Sequence, residues 1–242
     1  MSSNYCKKYM FAQIPVLAMY NYKYLDSQCR DYLTDKEPQI EIEVTQDDIE
    51  REKETLAESQ MFPDSYLESL AFYRKFCELI ALEDIILFHG AAVEVDGKAY
   101  VFTAPSGTGK TTHISLWNQI LKDKMTIING DKPLLKVSDT ITVYGTPWDG
   151  KERQSTNSSA ELAGICILKR GKENKIKRIT PGEALGTLMS QTFKPVGKEN
   201  LKKVLENVLV LSGKVQLWQL ECNISEEAAW TSYNAMCKGE TK

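Results

Sequence analysis

Apolar positions recur along this chain with two periods, and the switches between them divide it into short elements. Residues 9–20 are mostly apolar and read as one strand. A mixed stretch with a short helix near 27–33 follows. Residues 40–44, Ile-Glu-Ile-Glu-Val, alternate strictly, as a half-buried strand does. Thr45 can cap a charged helix over 46–59. Its dense charge reads as a solvated face more readily than as a partner surface. A second helix starts at Pro63. Leu67, Leu70, Ala71, Cys77, Ile80 and Ala81 fall on one of its faces, and Phe72 and Phe76 widen that face, so the helix should be largely buried.

The pattern then turns to strands. Residues 85–95 form an apolar run, Asp96-Gly97 is a hairpin signal, and 98–103 return as a strand. A helix follows with Ile114, Trp117 and Leu121 on one stripe. Strands are expected at 125–128, 134–137, 140–144, 163–168, 176–179 and 215–220. Helices are expected from Pro181 to 193, from 199 to 212 with a stop at Gly213, and from Ser225 to 237.

The run Tyr100-Val101-Phe102-Thr103 enters a loop, Ala104-Pro105-Ser106-Gly107-Thr108-Gly109, and Lys110-Thr111-Thr112 opens a helix. This is the pattern of a phosphate-binding loop (P-loop), with Ala104 where the first glycine usually stands. Gly107 and Gly109 lack a Cβ, so the backbone can curl and aim successive N–H groups at one anion, and the helix dipole adds to that field. Ser106, Gly107, Thr108, Gly109, Lys110, Thr111 and Thr112 are therefore expected to hold nucleotide phosphates. Lys110 would act as a point charge and Thr111 as a Mg2+ ligand.

A phosphate loop alone does not separate a kinase from a hydrolase or a switch, so a second site is needed. Asp131 lies just past a strand, roughly twenty residues after Lys110, where a metal-binding or base carboxylate belongs. The same residues, Asn129-Gly130-Asp131, would also suit an ordinary turn. His89 ends an apolar run one hairpin upstream of the loop, so its end can face a γ-phosphate; a lone histidine is otherwise more often a satisfied core residue. His113 is expected to be structural. The stretch Trp148-Asp149-Gly150-Lys151-Glu152-Arg153 gathers an aromatic, acids and cations. It reads as a substrate-facing loop, with Trp148, Asp149, Lys151, Glu152 and Arg153 as contacts and the Trp148 ring partly exposed. Lys169 and Arg170 read as a solvated strand edge.

Composition narrows the field. The 242 residues carry 30 Lys and Arg against 33 Asp and Glu, a net charge of −3. That balance calls for neither nucleic acid nor an anionic membrane. Scattered cysteines, several in apolar runs, suit free thiols in a reducing, cytoplasmic setting. With His89 and His113 as the only histidines, a zinc site is not expected.

Together these residues resemble the HPr kinase/phosphorylase-like and ATP-dependent phosphoenolpyruvate carboxykinase-like superfamily of P-loop kinases, and within it a stand-alone group of small bacterial proteins. The matching features are His89-Gly90 at a strand end, the Asp-Gly hairpin, Ser106-Gly-Thr-Gly-Lys-Thr-Thr112, the acidic turn, and Gly145-Thr-Pro-Trp148 running on to Gly150-Lys151. The likeness is good over 82–194 and looser elsewhere. It implies an α/β fold with a mixed sheet and a P-loop, over 85–242 with the C-terminal helices. An α+β segment, 1–84, would pack on that core.

The resemblance also implies ATP and Mg2+ as cofactors and a phosphotransferase, an HPr-kinase-like serine kinase. Lys110 would lie on the phosphates, Thr111 and Asp131 on Mg2+, and His89 near the transferred group. The acceptor would be a hydroxyl on a small protein or peptide, or free serine. A non-catalytic ATP sensor or assembly protein, or a plain ATPase, is the alternative, and self-association is left open. The family often carries two adjacent acids at the strand end, whereas Gly130 precedes Asp131 here. Either Asp131 does both jobs or the base lies elsewhere, with Asp149 and Glu152 as candidates.

Overall fold

The computed structural model describes residues 3–55 and 61–239. The chain divides into two units, Met1–Ile80 and Ala81–Lys242.

The first unit is built on a small sheet of β1 (Tyr5–Phe11), β2 (Ile14–Tyr20) and β3 (Ile40–Glu43). The apolar run 9–20 is not one strand. It is broken by Ala12 and Gln13, whose φ values of 48° and 69° make a left-handed turn between antiparallel β1 and β2. Neither is a usual turn residue, so the apolar pattern runs straight through the hairpin. α1 (Lys23–Gln28) receives its N-terminal cap from a distant residue. Glu68, fully buried, accepts the main-chain N–H groups of Asn21 and Tyr22 at 2.6 and 2.9 Å. α2 (Gln46–Glu54) begins at a capping box between Thr45 and Asp48; the end expected for this helix, 56–59, lies outside the described residues. α3 (Asp64–Ile80) buries Leu67, Phe72, Phe76 and Ile80, and the Phe72 and Phe76 rings meet Phe11 edge-on.

The second unit is a mixed α/β structure around a nine-stranded sheet. Its strands are β4 (Ile85–Leu87), β5 (Ala91–Val95), β6 (Lys98–Thr103), β7 (Met125–Asn129), β8 (Leu134–Val137), β9 (Ile141–Tyr144), β10 (Ser159–Arg170), β11 (Lys175–Arg178) and β12 (Gln216–Cys222). Its helices are α4 (Lys110–Leu121), α5 (Pro181–Gln191), α6 (Lys198–Lys214) and α7 (Glu226–Cys237). One path runs β4-β8-β9-β10-β6-β5-β7, and β12, carrying β11, branches from β10. β10 is long enough to serve both. Its start pairs antiparallel with β9, while its later part runs parallel to β6 on one edge and to β12 on the other.

Two expectations change here. The run 85–95 breaks at Phe88-His89-Gly90, and its halves join different strands: β4 pairs with β8, and β5 with β6 and β7. Gly213 does not stop α6, which continues to Lys214.

Side chains alternate across the sheet, so its two faces carry separate cores. Val101 and Ile165 pack with Leu188 of α5 and Leu211 of α6, while Phe102 and Cys166 pack with Trp117 of α4 and Ala229 of α7. Trp117 is fully buried; its ring lies 5.0 Å from Phe102, and its indole N–H donates to Ser232 Oγ at 2.8 Å. His113, one helical turn away, meets the same hydroxyl at 2.9 Å through Nε2.

Burial pushes the His113 pKa down from 6.5 to about 4. The unfolded chain therefore binds a proton that the folded chain refuses in the window between those values. Stability from this group is complete above the unfolded value and is lost as pH falls through the window. Between about pH 7 and pH 5 the loss from His113 is on the order of 2 kcal/mol. In urea titrations, His113→Gln should lose correspondingly less stability over that interval than the wild type; an equal loss in both proteins would contradict this. No helix among the described residues is long and apolar enough to cross a membrane.

Candidate functional site

The turn from β6 into α4 is set by glycine. Gly107 and Gly109 have φ values of 75° and 120°, where an L side chain is strained, and the space over each is open. Gly109 is also the N-cap of α4, which has no side-chain cap, so the first-turn N–H groups are free of one. Ser106 and Gly107 are exposed and Thr108 and Gly109 half-buried.

Lys110 is 7 % exposed, and its Nζ donates to the Ala104 carbonyl at 2.9 Å, across the base of the loop. Burial lowers its pKa, and the Asp131 charge acts in the opposite direction. Thr111 is half-buried and Thr112 exposed.

Asp131 follows β7. Asn129 is fully buried, and its Oδ1 accepts the main-chain N–H groups of Asp131 and Lys132 at 2.8 and 2.6 Å, which fixes the turn. The Asp131 carboxylate lies 3.3 Å from His89 Nε2 and 3.5 Å from Lys132 Nζ. Burial would raise its pKa, but the His89 hydrogen bond and the charges of Lys132, His89 and Lys110 prevail, and the value lies below the ordinary one. The other ring nitrogen of His89, Nδ1, meets Gln191 Oε1 at 2.7 Å, and Gly90 N–H donates to the Asp131 carbonyl at 3.0 Å. The break between β4 and β5 thus carries His89 to the carboxylate.

A cleft of about 460 Å3 opens over these groups. Its walls include His89, the loop at Ser106, Gly107 and Gly109, then Lys110, Thr111, Thr112 and Asp131. Asp149, Lys151 and Glu152 complete the rim with Gly130, Gly150 and Gln154. The Asp149 carboxylate accepts from Ser155 Oγ at 2.8 Å. Burial raises its pKa, the Ser155 bond and the Arg153 charge lower it, Asp131 raises it further, and the net shift is upward.

Two of the expected substrate contacts are not at the cleft. Trp148 is 3 % exposed and does not line it, so the expected partly exposed ring is corrected to a buried one. The segment before it explains why. Gly145 and Thr146 are held inside by Gly145 N–H to Ser158 O at 3.0 Å, Thr146 Oγ1 to Lys132 O at 2.9 Å and Asn129 Nδ2 to Thr146 O at 2.8 Å. A large apolar ring continuing that segment gains most by staying dry. Arg153 is exposed and lies off the cleft lining.

Other residues at the site had no such role in the sequence reading. Arg170, expected on a solvated strand edge, is exposed but reaches the loop. Its guanidinium donates to the carbonyls of Gly107 and, at 3.5 Å, Thr108. In a trans peptide the Gly109 N–H then faces away from Arg170. The available signal was topological: β10 runs parallel to β6, so its C-terminal end lies beside the loop that β6 feeds. Gln191 and Ser155 had no signal beyond being polar.

The donor set fits a Mg2+-bound polyphosphate. Glycine-shaped backbone, an uncapped helix start and a lysine face one cleft, with a hydroxyl at Thr111 and a carboxylate at Asp131. Among the described residues no cluster of three or more His, Cys, Asp or Glu side chains could hold a metal. One carboxylate and one hydroxyl suit Mg2+, which takes its other ligands from phosphate and water.

No family model matches the chain, and no curated protein matches it. Among solved structures it is similar to one described as "Structure of the Hpr(Ser) kinase/phosphatase from Coxiella burnetii". The two are 11 % identical, the match covers 53 % of this chain and 90 % of that chain, and the TM-score of 0.27 is too low to carry an argument about fold or function.

Proposed function

We propose that this chain is an ATP- and Mg2+-dependent phosphotransferase that moves the γ-phosphoryl group to a hydroxyl acceptor, a serine of a small protein or peptide or free serine. The observation that carries this reading is the shared cleft: a glycine-shaped loop, Lys110 and Thr111 line it together with Asp131 and His89, which meet at 3.3 Å. Phosphate would rest on the loop N–H groups and Lys110. Mg2+, held through Thr111 and Asp131, would neutralise charge on the β- and γ-phosphates. His89, held by Gln191, would orient Asp131 and stand near the transferred group. Lys151 and Glu152 at the rim would face the acceptor.

Gly130 in place of a second acid favours one other reading, a non-catalytic ATP sensor or assembly protein. Lysate incubated with the purified protein and γ-labelled ATP separates the readings. The phosphotransferase labels a discrete acceptor at a hydroxyl. The sensor binds ATP and labels nothing, and a plain ATPase releases phosphate at a rate no acceptor changes.

A further inference from the structure

The cleft holds two carboxylates in contrasting surroundings, and we propose that the second, Asp149, takes the proton of the acceptor hydroxyl, an assignment that rests on the phosphotransferase reading above. Asp131 already has close partners, with His89 Nε2 at 3.3 Å and the Lys132 ammonium at 3.5 Å. A carboxylate matched in that way suits holding a metal and fixing the histidine. Asp149 lines the same cleft; a neutral hydroxyl, Ser155 Oγ at 2.8 Å, fixes one of its oxygens, and the Arg153 charge also acts on it.

The backbone explains why the second acid comes from this loop. A Cβ at Gly130 would stand 3.1 Å from the Asp149 carbonyl oxygen and 3.2 Å from that of Gln154. Both are main-chain atoms, and the Gly130 N–H is bonded to the Gln154 carbonyl at 2.8 Å. A side chain beside Asp131 would therefore need those carbonyls to give by a few tenths of an ångström. The same loop supplies Asp149. Gly150, with φ 83°, lets that loop lie against Asp131: a Cβ there would be 3.1 Å from Asp131 Cβ. Main-chain packing thus brings the Asp149-Gly150 backbone against Gly130-Asp131, and both acids line one cleft.

In the transfer step the acceptor oxygen forms a bond to the γ-phosphorus. The bond from that phosphorus to the β–γ bridging oxygen breaks, and ADP leaves with the electron pair. The hydroxyl proton passes to the Asp149 carboxylate and then to solvent. Ser155 is a positioning residue.

The test uses the full chain with Mg-ATP and water as the acceptor. Calorimetry gives the Kd for Mg-ATP and phosphate release gives turnover. Asp149→Asn is nearly isosteric, and its amide oxygen can still accept from Ser155. It should keep Kd within about threefold and slow release on the order of a hundredfold. Ser155→Ala should slow release about tenfold at unchanged Kd, and Ser155→Thr should restore it. Release at the wild-type rate from Asp149→Asn, or a Kd that rises in step with the loss of rate, overturns the assignment. If Asp149→Asn does not fold, an unchanged rate in Ser155→Ala overturns it. A wild-type protein that binds no Mg-ATP would instead sink the nucleotide reading itself.

Discussion

Lys110→Ala should reduce phosphoryl transfer on the order of a hundredfold or more while leaving the chain folded. The lysine is a nearly buried cation in the first turn of α4, and it lines the same cleft as Asp131. Its Nζ rests on the Ala104 carbonyl, a short reach from where a terminal phosphate would lie. Moving from that carbonyl to a phosphate replaces a neutral acceptor with a charged one, so both partners of the bond then carry charge. The gain grows as charge builds on the phosphoryl oxygens. The structural cost of the substitution is small by comparison. It frees one carbonyl and removes a buried aliphatic stem, so a loss of about 1–2 kcal/mol in stability is expected. Denaturation curves and initial rates measured on one preparation separate the two effects. A folded variant with wild-type turnover would remove Lys110 from the site.

Asp131→Asn should abolish Mg2+-dependent turnover while ATP binding is largely kept. The substitution preserves shape and removes the charge that faces His89, Lys132 and Lys110. Asparagine is a poor Mg2+ ligand, so the dependence of rate on Mg2+ should weaken or vanish. The loop N–H groups and Lys110 are untouched, and they are expected to carry most of the phosphate affinity. A Mg2+ titration of rate, alongside the Kd for ATP, reads both consequences. An Asp131→Asn protein with wild-type Mg2+ dependence would move the metal site to another group, and equal losses of rate and ATP affinity would make Asp131 a binding residue only.

The parts of this molecule that sequence makes legible are those written locally. Asp96-Gly97 gives a hairpin because both residues accept positive φ, and they do so at 51° and 76°. Gly107 and Gly109 mark a loop for the same reason, and Thr45 and Ser225 mark helix starts with a side-chain oxygen. The hairpin at Ala12-Gln13 is hidden because its residues are ordinary ones held in an unusual conformation by strand pairing. The break at Phe88-His89-Gly90 is hidden because both halves of the run are apolar and only the sheet order separates them.

The candidate site divides in the same way. The positions of Lys110 at the start of α4 and of Asp131 just past β7 follow from local pattern. Their partners do not: His89 meets Gln191 across 102 residues, and Arg170 reaches Gly107 across 63. Trp148 shows the opposite failure. Its neighbours in sequence are polar and charged, which suggests a surface loop, yet Gly145 and Thr146 draw the segment inward before Asp149 turns back to the cleft. A substitution of Trp148 should therefore disturb packing before it disturbs any acceptor.

Calorimetric titration of ATP into the purified protein, with and without Mg2+, decides whether the cleft is a nucleotide site. Saturable binding of one ATP per chain is expected, tighter with Mg2+ and weakened by Lys110→Ala. Absence of binding, or binding indifferent to both Mg2+ and Lys110, would contradict it.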